Sequence, residues 1–161
     1  VTINQGYVMP AWYDILEMSL ERKIDTAQIE QSASSIRALI AQENERGVPS
    51  EHIVIAGFSQ GGAVAYQTAL SYDKPLAGLL TLSTYLATKD SLVLSDANKN
   101  LKIAIHHGTQ DPVVPVQLGQ EAKAWLESKG YQPQFYSYPM AHQVCMPQLK
   151  IIGKWLNDVL A

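Results

Sequence analysis

Three side chains in this 161-residue chain, Ser59, Asp111 and His142, are of the types that together carry out acyl transfer. A hydroxyl attacks, an imidazole takes its proton, and a carboxylate holds the imidazole in the tautomer that can do so. Ser59 lies within Gly57-Phe58-Ser59-Gln60-Gly61, a Gly-x-Ser-x-Gly pattern. In that setting the serine occupies a strained strand-to-helix turn that lifts its hydroxyl clear of a sheet edge, and the glycines remove side chains that would block the turn. Five residues are few enough to arise by chance in a flexible loop, so the flanks decide. Here the β-type apolar run Ile53-Val54-Ile55-Ala56 comes before, and Gly62, Ala63 and Ala65 open an alanine-rich helix after. The first turn of that helix aims backbone N–H groups and a positive dipole end toward Ser59.

The elements that must position these groups follow from hydrophobic period and turn chemistry. Residues 1–24, with Gly6, Pro10 and Trp12-Tyr13, have no clear period and are expected to form a structured loop. Asp25 with Gln28 resembles a capping box, Ile29, Ala33, Ile36 and Ile40 recur at helical spacing, and Gly47 with Pro49 gives a stop, which predicts a helix over 26–46. A strand at 53–56, a helix over 61–72 closed by Asp73-Lys74-Pro75 and a strand at 77–82 come next. Residues 84–100 are polar and irregular, before a third strand at 101–106. A helix over 116–129 turns Leu118, Ala122 and Trp125 or Leu126 inward, with Gly130 as its cap. A fourth strand at 134–138 leads into the loop Pro139-Met140-Ala141-His142, and a last helix beginning near Pro147 is striped by Leu149, Ile152, Leu156 and Val159. Alternating strands and helices predict an α/β fold, a four-stranded parallel sheet with helices on both faces and chemistry at the carboxyl ends of the strands. Asp111 follows the third strand and His142 the fourth, on the same sheet edge as Ser59.

Each candidate has a plainer alternative. Asp111-Pro112 is a common turn starter, and His142 could be a solvent-facing loop histidine. Asp73, Asp90 and Asp96 are the other carboxylates between serine and histidine, but none directly follows a strand. His52 precedes the nucleophile strand, at the wrong end. The pair His106-His107 invites a metal, yet neighbours on a strand point to opposite faces and no cysteine or carboxylate stands at a usable spacing, so a structural role and no metal are expected. Cys145 lacks the strand-turn-helix setting of an activated nucleophile and reads as a loop thiol.

A net charge of -3 without any Lys/Arg cluster argues against nucleic acid and against an anionic membrane surface. The longest apolar runs, 53–58 and 76–82, fall well short of the roughly 18 residues of a transmembrane span. The single cysteine excludes an internal disulfide and suits a reducing, cytoplasmic compartment. The first residue is Val1 rather than Met, so upstream residues are expected to be missing.

With Gly-Phe-Ser-Gln-Gly-Gly at 57–62, His107-Gly108 and Asp111-Pro112, Tyr138-Pro139-Met140-Ala141-His142, and Met9-Pro10-Ala11-Trp12-Tyr13-Asp14, the chain resembles the phospholipase/carboxylesterase family of small α/β-hydrolases, which includes bacterial carboxylesterases and acyl-protein thioesterases. The resemblance implies Ser59, Asp111 and His142 as triad, hydrolysis of small-molecule carboxylic esters or thioesters of small to medium acyl chains through an acyl-enzyme, and no cofactor. It implies an oxyanion hole built partly from the Gln60 backbone N–H, and an acyl pocket lined by Val113, Tyr85 and Leu86 and closed by Trp12. Such enzymes begin with further strands and a His-Gly loop that supplies a second oxyanion donor, and nothing upstream of Val1 provides them. The expectation is therefore that 1–161 form the C-terminal catalytic part of a longer α/β-hydrolase domain. On its own it should be weakly active, because one oxyanion donor is worth on the order of 10² to 10³ in turnover. Its nucleophile strand would also be an uncovered apolar edge, favouring association into a homodimer. A non-catalytic hydrolase-fold module binding an acyl ligand or a protein is the alternative. Epoxide or C–C bond chemistry fits less well, since epoxide hydrolysis on this fold uses a carboxylate where Ser59 stands.

Overall fold

Four runs of aliphatic residues pair into one parallel sheet, and their register decides where every loop in the site begins. The computed structural model describes residues 2–3, 7–14 and 25–161. The sheet contains β3 (Val54–Phe58), β4 (Gly78–Leu82), β5 (Ile103–Gly108) and β6 (Gln134–Tyr138), in that spatial order and all parallel. Phe58 lies beside Leu82, Leu82 beside His106, and Gly108 beside Tyr138. The carboxyl ends of all four strands thus share one edge. All six residues of β5 are buried, as expected of a central parallel strand covered on both faces.

Helices α1 (Thr26–Glu45), α2 (Gln60–Ser71) and α3 (Val116–Ser128) cover one face. There Ile40, Tyr66, Leu70, Leu79, Ile105 and Leu126 share the main core. The other face carries α4 (Met146–Leu160), whose Ile152 and Trp155 pack on Leu80 and Ala104. Consecutive residues Leu79 and Leu80 fall in different clusters because strand side chains alternate. Aliphatic and aromatic anchors on both faces explain why a sheet of such short strands holds together.

Several boundaries differ from the sequence reading. Part of the expected N-terminal loop forms a small antiparallel pair, β1 (Thr2–Ile3) with β2 (Tyr7–Val8). Two-residue strands are too short for any period to register. The stretch 15–24 of that loop lies outside the described residues. β3 runs on to Phe58, and β5 lies two residues later than 101–106 because its pairing partners run to Tyr138. Asp25 does cap α1, accepting the Gln28 N–H at 3.0 Å, but the Gln28 carboxamide turns to Asp14 instead of closing the box. In α4, Leu149 is exposed while Trp155 is buried. Gly78 makes room for that indole, since a Cβ there would lie 2.6 Å from Trp155 Cη2.

His106 and His107 point to opposite faces as expected, and both are fully buried. His106 bonds the Tyr138 hydroxyl through Nδ1 at 2.9 Å and stacks on Tyr136 with ring centroids 4.8 Å apart, while its Nε2 has no partner among the described residues. Burial pushes its pKa from 6.5 down to about 4. The folded protein therefore binds fewer protons than the unfolded chain between those values. Stability is greatest above about 6.5 and is lost as pH falls toward 4. Burial lowers His107 in the same direction. Thermal midpoints measured at pH 7 and pH 5 should fall with acid, and His106→Phe should shrink the drop. An unchanged drop in that variant would rule His106 out as its source.

Candidate active site

Ser59 ends β3 and caps α2 with φ 52° and ψ −123°, a backbone region that residues other than glycine rarely occupy. The turn is held from both sides. Its N–H donates to Leu82 O at 2.9 Å, and its carbonyl accepts from Thr84 Oγ1 at 2.6 Å and from the Gly62 N–H at 3.0 Å. The serine hydroxyl makes no capping bond to the helix, which leaves it available to an outside partner. A Cβ at Gly57 would run into the Gly61 carbonyl, and one at Gly62 into the Thr84 side chain. Gly61 is different, because a Cβ there would meet only Trp12 Nε1 at 3.5 Å. The steric requirement thus falls on Gly57 and Gly62 rather than evenly on the two glycines flanking the serine.

The outside partner is His142, on the loop after β6. Its Nε2 lies 3.0 Å from Ser59 Oγ and its Nδ1 2.7 Å from Asp111 Oδ2, with its ring against Phe58 at 4.7 Å between centroids. Asp111 is buried, and its other oxygen accepts from the N–H groups of Val113 (2.9 Å) and Val114 (2.8 Å). Hydrogen bonds to the charged form favour a carboxylate in a buried place. The two loops are laced together: Thr109 N–H donates to Tyr138 O and Gln110 N–H to Met140 O. Gly108 allows this, since a Cβ would strike the Met140 and Ala141 carbonyls.

His107 lies beneath this loop. Its Nε2 is 2.8 Å from Val114 O and 3.8 Å from Asp111 Oδ2. Burial lowers its pKa, so the ring is neutral and its Nε2–H donates to the carbonyl. Gly119 gives the ring its space, because a Cβ there would come 2.5 Å from His107 Nδ1. The structure thus brings together Ser59, His142 and Asp111. It leaves Asp73, Asp90, Asp96 and His52 exposed on the surface and puts Cys145 at the start of α4. Among the described residues no group of three His, Cys, Asp or Glu side chains could hold a metal ion.

The four pocket candidates separate. Trp12 (46% exposed) and Val113 (42% exposed) remain open to solvent. Tyr85 is buried with its hydroxyl 2.6 Å from that of Tyr13, and Leu86 is buried in the main core. Gln60 is the first residue of α2, where a helix has no internal partner for its N–H. The roles of Thr84 and the Gln60 side chain escaped the sequence reading, and the structural role expected of His107 came without its partner. Thr84 and Gln60 act on residues 25 and 47 positions away, which leaves no periodic or motif signal, and His107 acts within its own loop on a backbone carbonyl, which no residue type records.

The family described as Phospholipase/Carboxylesterase matches residues 1–160. The chain is 36% identical over 170 residues to acyl-protein thioesterase 1 of Neurospora crassa, covering 99% of this chain and 69% of that protein. It is 35% identical to acyl-protein thioesterase 1 of Mycosarcoma maydis, covering 99% of this chain and 73% of that protein. The crystal structure of Arabidopsis thaliana SOBER1 superposes with a TM-score of 0.89 at 30% identity, over 99% of this chain and 79% of that one. Zea mays acyl-protein thioesterase 2 shares the α/β-hydrolase fold, with a TM-score of 0.84 at 24% identity over 97% of this chain and 75% of that one.

The glycine contacts lead to a test by urea unfolding. Gly57→Ala and Gly62→Ala should each destabilise by about 2 kcal/mol or more, as overpacking against backbone or a pinned side chain does. Gly61→Ala should be neutral or slightly stabilising, because alanine is the better helix former. Equal midpoints for all three variants would show that the turn has slack around Gly57 and Gly62 and overturn the steric requirement.

Proposed function

The chain belongs to the phospholipase/carboxylesterase family, and we propose that Ser59, His142 and Asp111 are the triad with which it hydrolyses carboxylic esters and thioesters of small to medium acyl chains. The observation that carries the assignment is the unbroken line from Asp111 Oδ2 through His142 to Ser59 Oγ, at 2.7 and 3.0 Å. Ser59 Oγ attacks the acyl carbon while His142 Nε2 takes its proton. Asp111 stays ionised and steadies the imidazolium that forms. The Gln60 N–H faces the developing oxyanion at the positive end of α2. Collapse expels the alcohol or thiol, protonated by His142, and leaves the acyl group on Ser59. Water then attacks that acyl-enzyme, with His142 again acting as base.

Trp12 and Val113 form the acyl wall, supported by their exposure beside the site, whereas buried Tyr85 and Leu86 stiffen the layer behind it. Names of the fungal relatives support thioesters among the substrates. One free cysteine supports work in a reducing, cytoplasmic compartment. Covalent labelling by a fluorophosphonate should be lost in Ser59→Ala, together with ester turnover. Asp111→Asn should retain the fold and lower kcat on the order of 10³ to 10⁴. Turnover surviving in Ser59→Ala would sink the assignment and favour a binding module that never uses the serine.

A further inference from the structure

Residues 12–14 cross above the turn that carries Ser59, and an unusual share of their backbone is tied down by side chains from elsewhere. The Gln60 carboxamide accepts the Trp12 N–H through Oε1 at 3.4 Å and donates through Nε2 to Tyr13 O at 2.9 Å. Ser32 Oγ donates to Trp12 O at 2.6 Å. Gln28 Oε1 accepts the Asp14 N–H at 2.7 Å, and the Asp25 N–H donates to Asp14 O at 3.2 Å. At least five of the six backbone N–H and C=O groups of these three residues are therefore engaged. Only one of the anchors, Gln60, belongs to the nucleophile turn itself.

Tyr13 is buried, yet Trp12 next to it is left 46% exposed, with its indole nitrogen facing Gly61. A large apolar ring on an anchored backbone, open to solvent at the site, is a rigid wall rather than a piece of the core. Gln60 thus bridges the nucleophile turn and the Trp12–Tyr13 peptide. Its backbone lies in the first turn of α2, and its carboxamide bonds the Trp12 N–H and the Tyr13 carbonyl.

We propose that the Gln60 side chain is a positioning residue that straps the Trp12–Tyr13 peptide to the nucleophile turn, and that this strap sets the enzyme's preference for longer over shorter acyl chains. The proposal rests on Ser59 being the nucleophile. A short acyl group reaches only the turn, so loosening the strap affects it less than a longer one. A longer one lies on Trp12, and loosening that wall re-exposes part of the chain to water. Losing the burial of roughly two methylenes lowers kcat/KM about tenfold.

The test is kcat/KM for p-nitrophenyl acetate and p-nitrophenyl octanoate with wild type, Gln60→Met, Ser32→Ala and Trp12→Ala. Gln60→Met keeps the backbone N–H and removes both carboxamide bonds. Ser32→Ala loosens the same peptide from α1 without touching the turn, so it serves even where Gln60→Met folds poorly. The octanoate-to-acetate ratio should fall about tenfold in Gln60→Met and in the same direction, by less, in Ser32→Ala. Adding Gln60→Met to Trp12→Ala should lower the ratio no further, the non-additivity expected of residues acting through one contact. A ratio unchanged in both Gln60→Met and Ser32→Ala, or equal losses on the two esters, overturns the strap while leaving Ser59 as nucleophile. Wild type that hydrolyses neither ester and resists fluorophosphonate overturns the nucleophile assignment, and the strap with it.

Discussion

The backbone at Ser59 is the constraint on which the rest of the molecule turns. A non-glycine residue at φ 52° holds strain on the order of 1–3 kcal/mol and persists only where its surroundings over-determine it. Here they do so from two sides: β4 supplies Leu82 O, and the segment after it supplies the Thr84 hydroxyl. The sharp turn allows α2 to start immediately and sends the hydroxyl outward. The residue that follows β4, Ser83, also has a positive φ, at 48°, and its N–H is held by His106 O. Strain is thus concentrated at the carboxyl ends of two adjacent strands, where the flat sheet gives way to the site.

Around that turn the site is assembled by backbone more than by side chains. Asp111 is oriented by two N–H groups of its own loop, and that loop is fixed in turn by neutral His107 on Val114 O. The loops carrying Asp111 and His142 are joined through β6 and Met140 carbonyls. A neutral histidine is the better support here. A charged one 3.8 Å from Asp111 would share the carboxylate's field, which is needed on His142. Burial lowers the pKa of His107, and Gly119 leaves the room its ring occupies.

The layer built from residues 12–14, Tyr85 and α1 adds a second support of a different kind. It meets the nucleophile turn through the Gln60 carboxamide and the small residue at Gly61. Because α1 is capped by Asp25 while Gln28 bonds Asp14, the start of that helix and the segment over the site are fixed together. Any shift in the first turn of α1 is felt above Ser59.

The pattern of one sequence was enough for the order of the four parallel strands and the helices between them, and for placing Ser59, Asp111 and His142 at one sheet edge. An apolar run meeting Gly-Phe-Ser-Gln-Gly-Gly, and strands alternating with helices, place Ser59, Asp111 and His142 on one edge of a parallel sheet, since parallel strands must all end on the same side. Turn glycines such as Gly47 and Gly130, both at positive φ, were equally legible, because their conformation is a local property. Tertiary structure alone decided which glycines are sterically required, which of Trp12, Tyr85, Leu86 and Val113 stay open, that Trp155 rather than Leu149 enters the core, and that Gln28 and Gln60 both bond the segment at 12–14. The reason is one of range. Period and turn chemistry act over a few residues, whereas register and close approach join atoms 48 or 83 positions apart, and nothing in either local stretch records its distant partner.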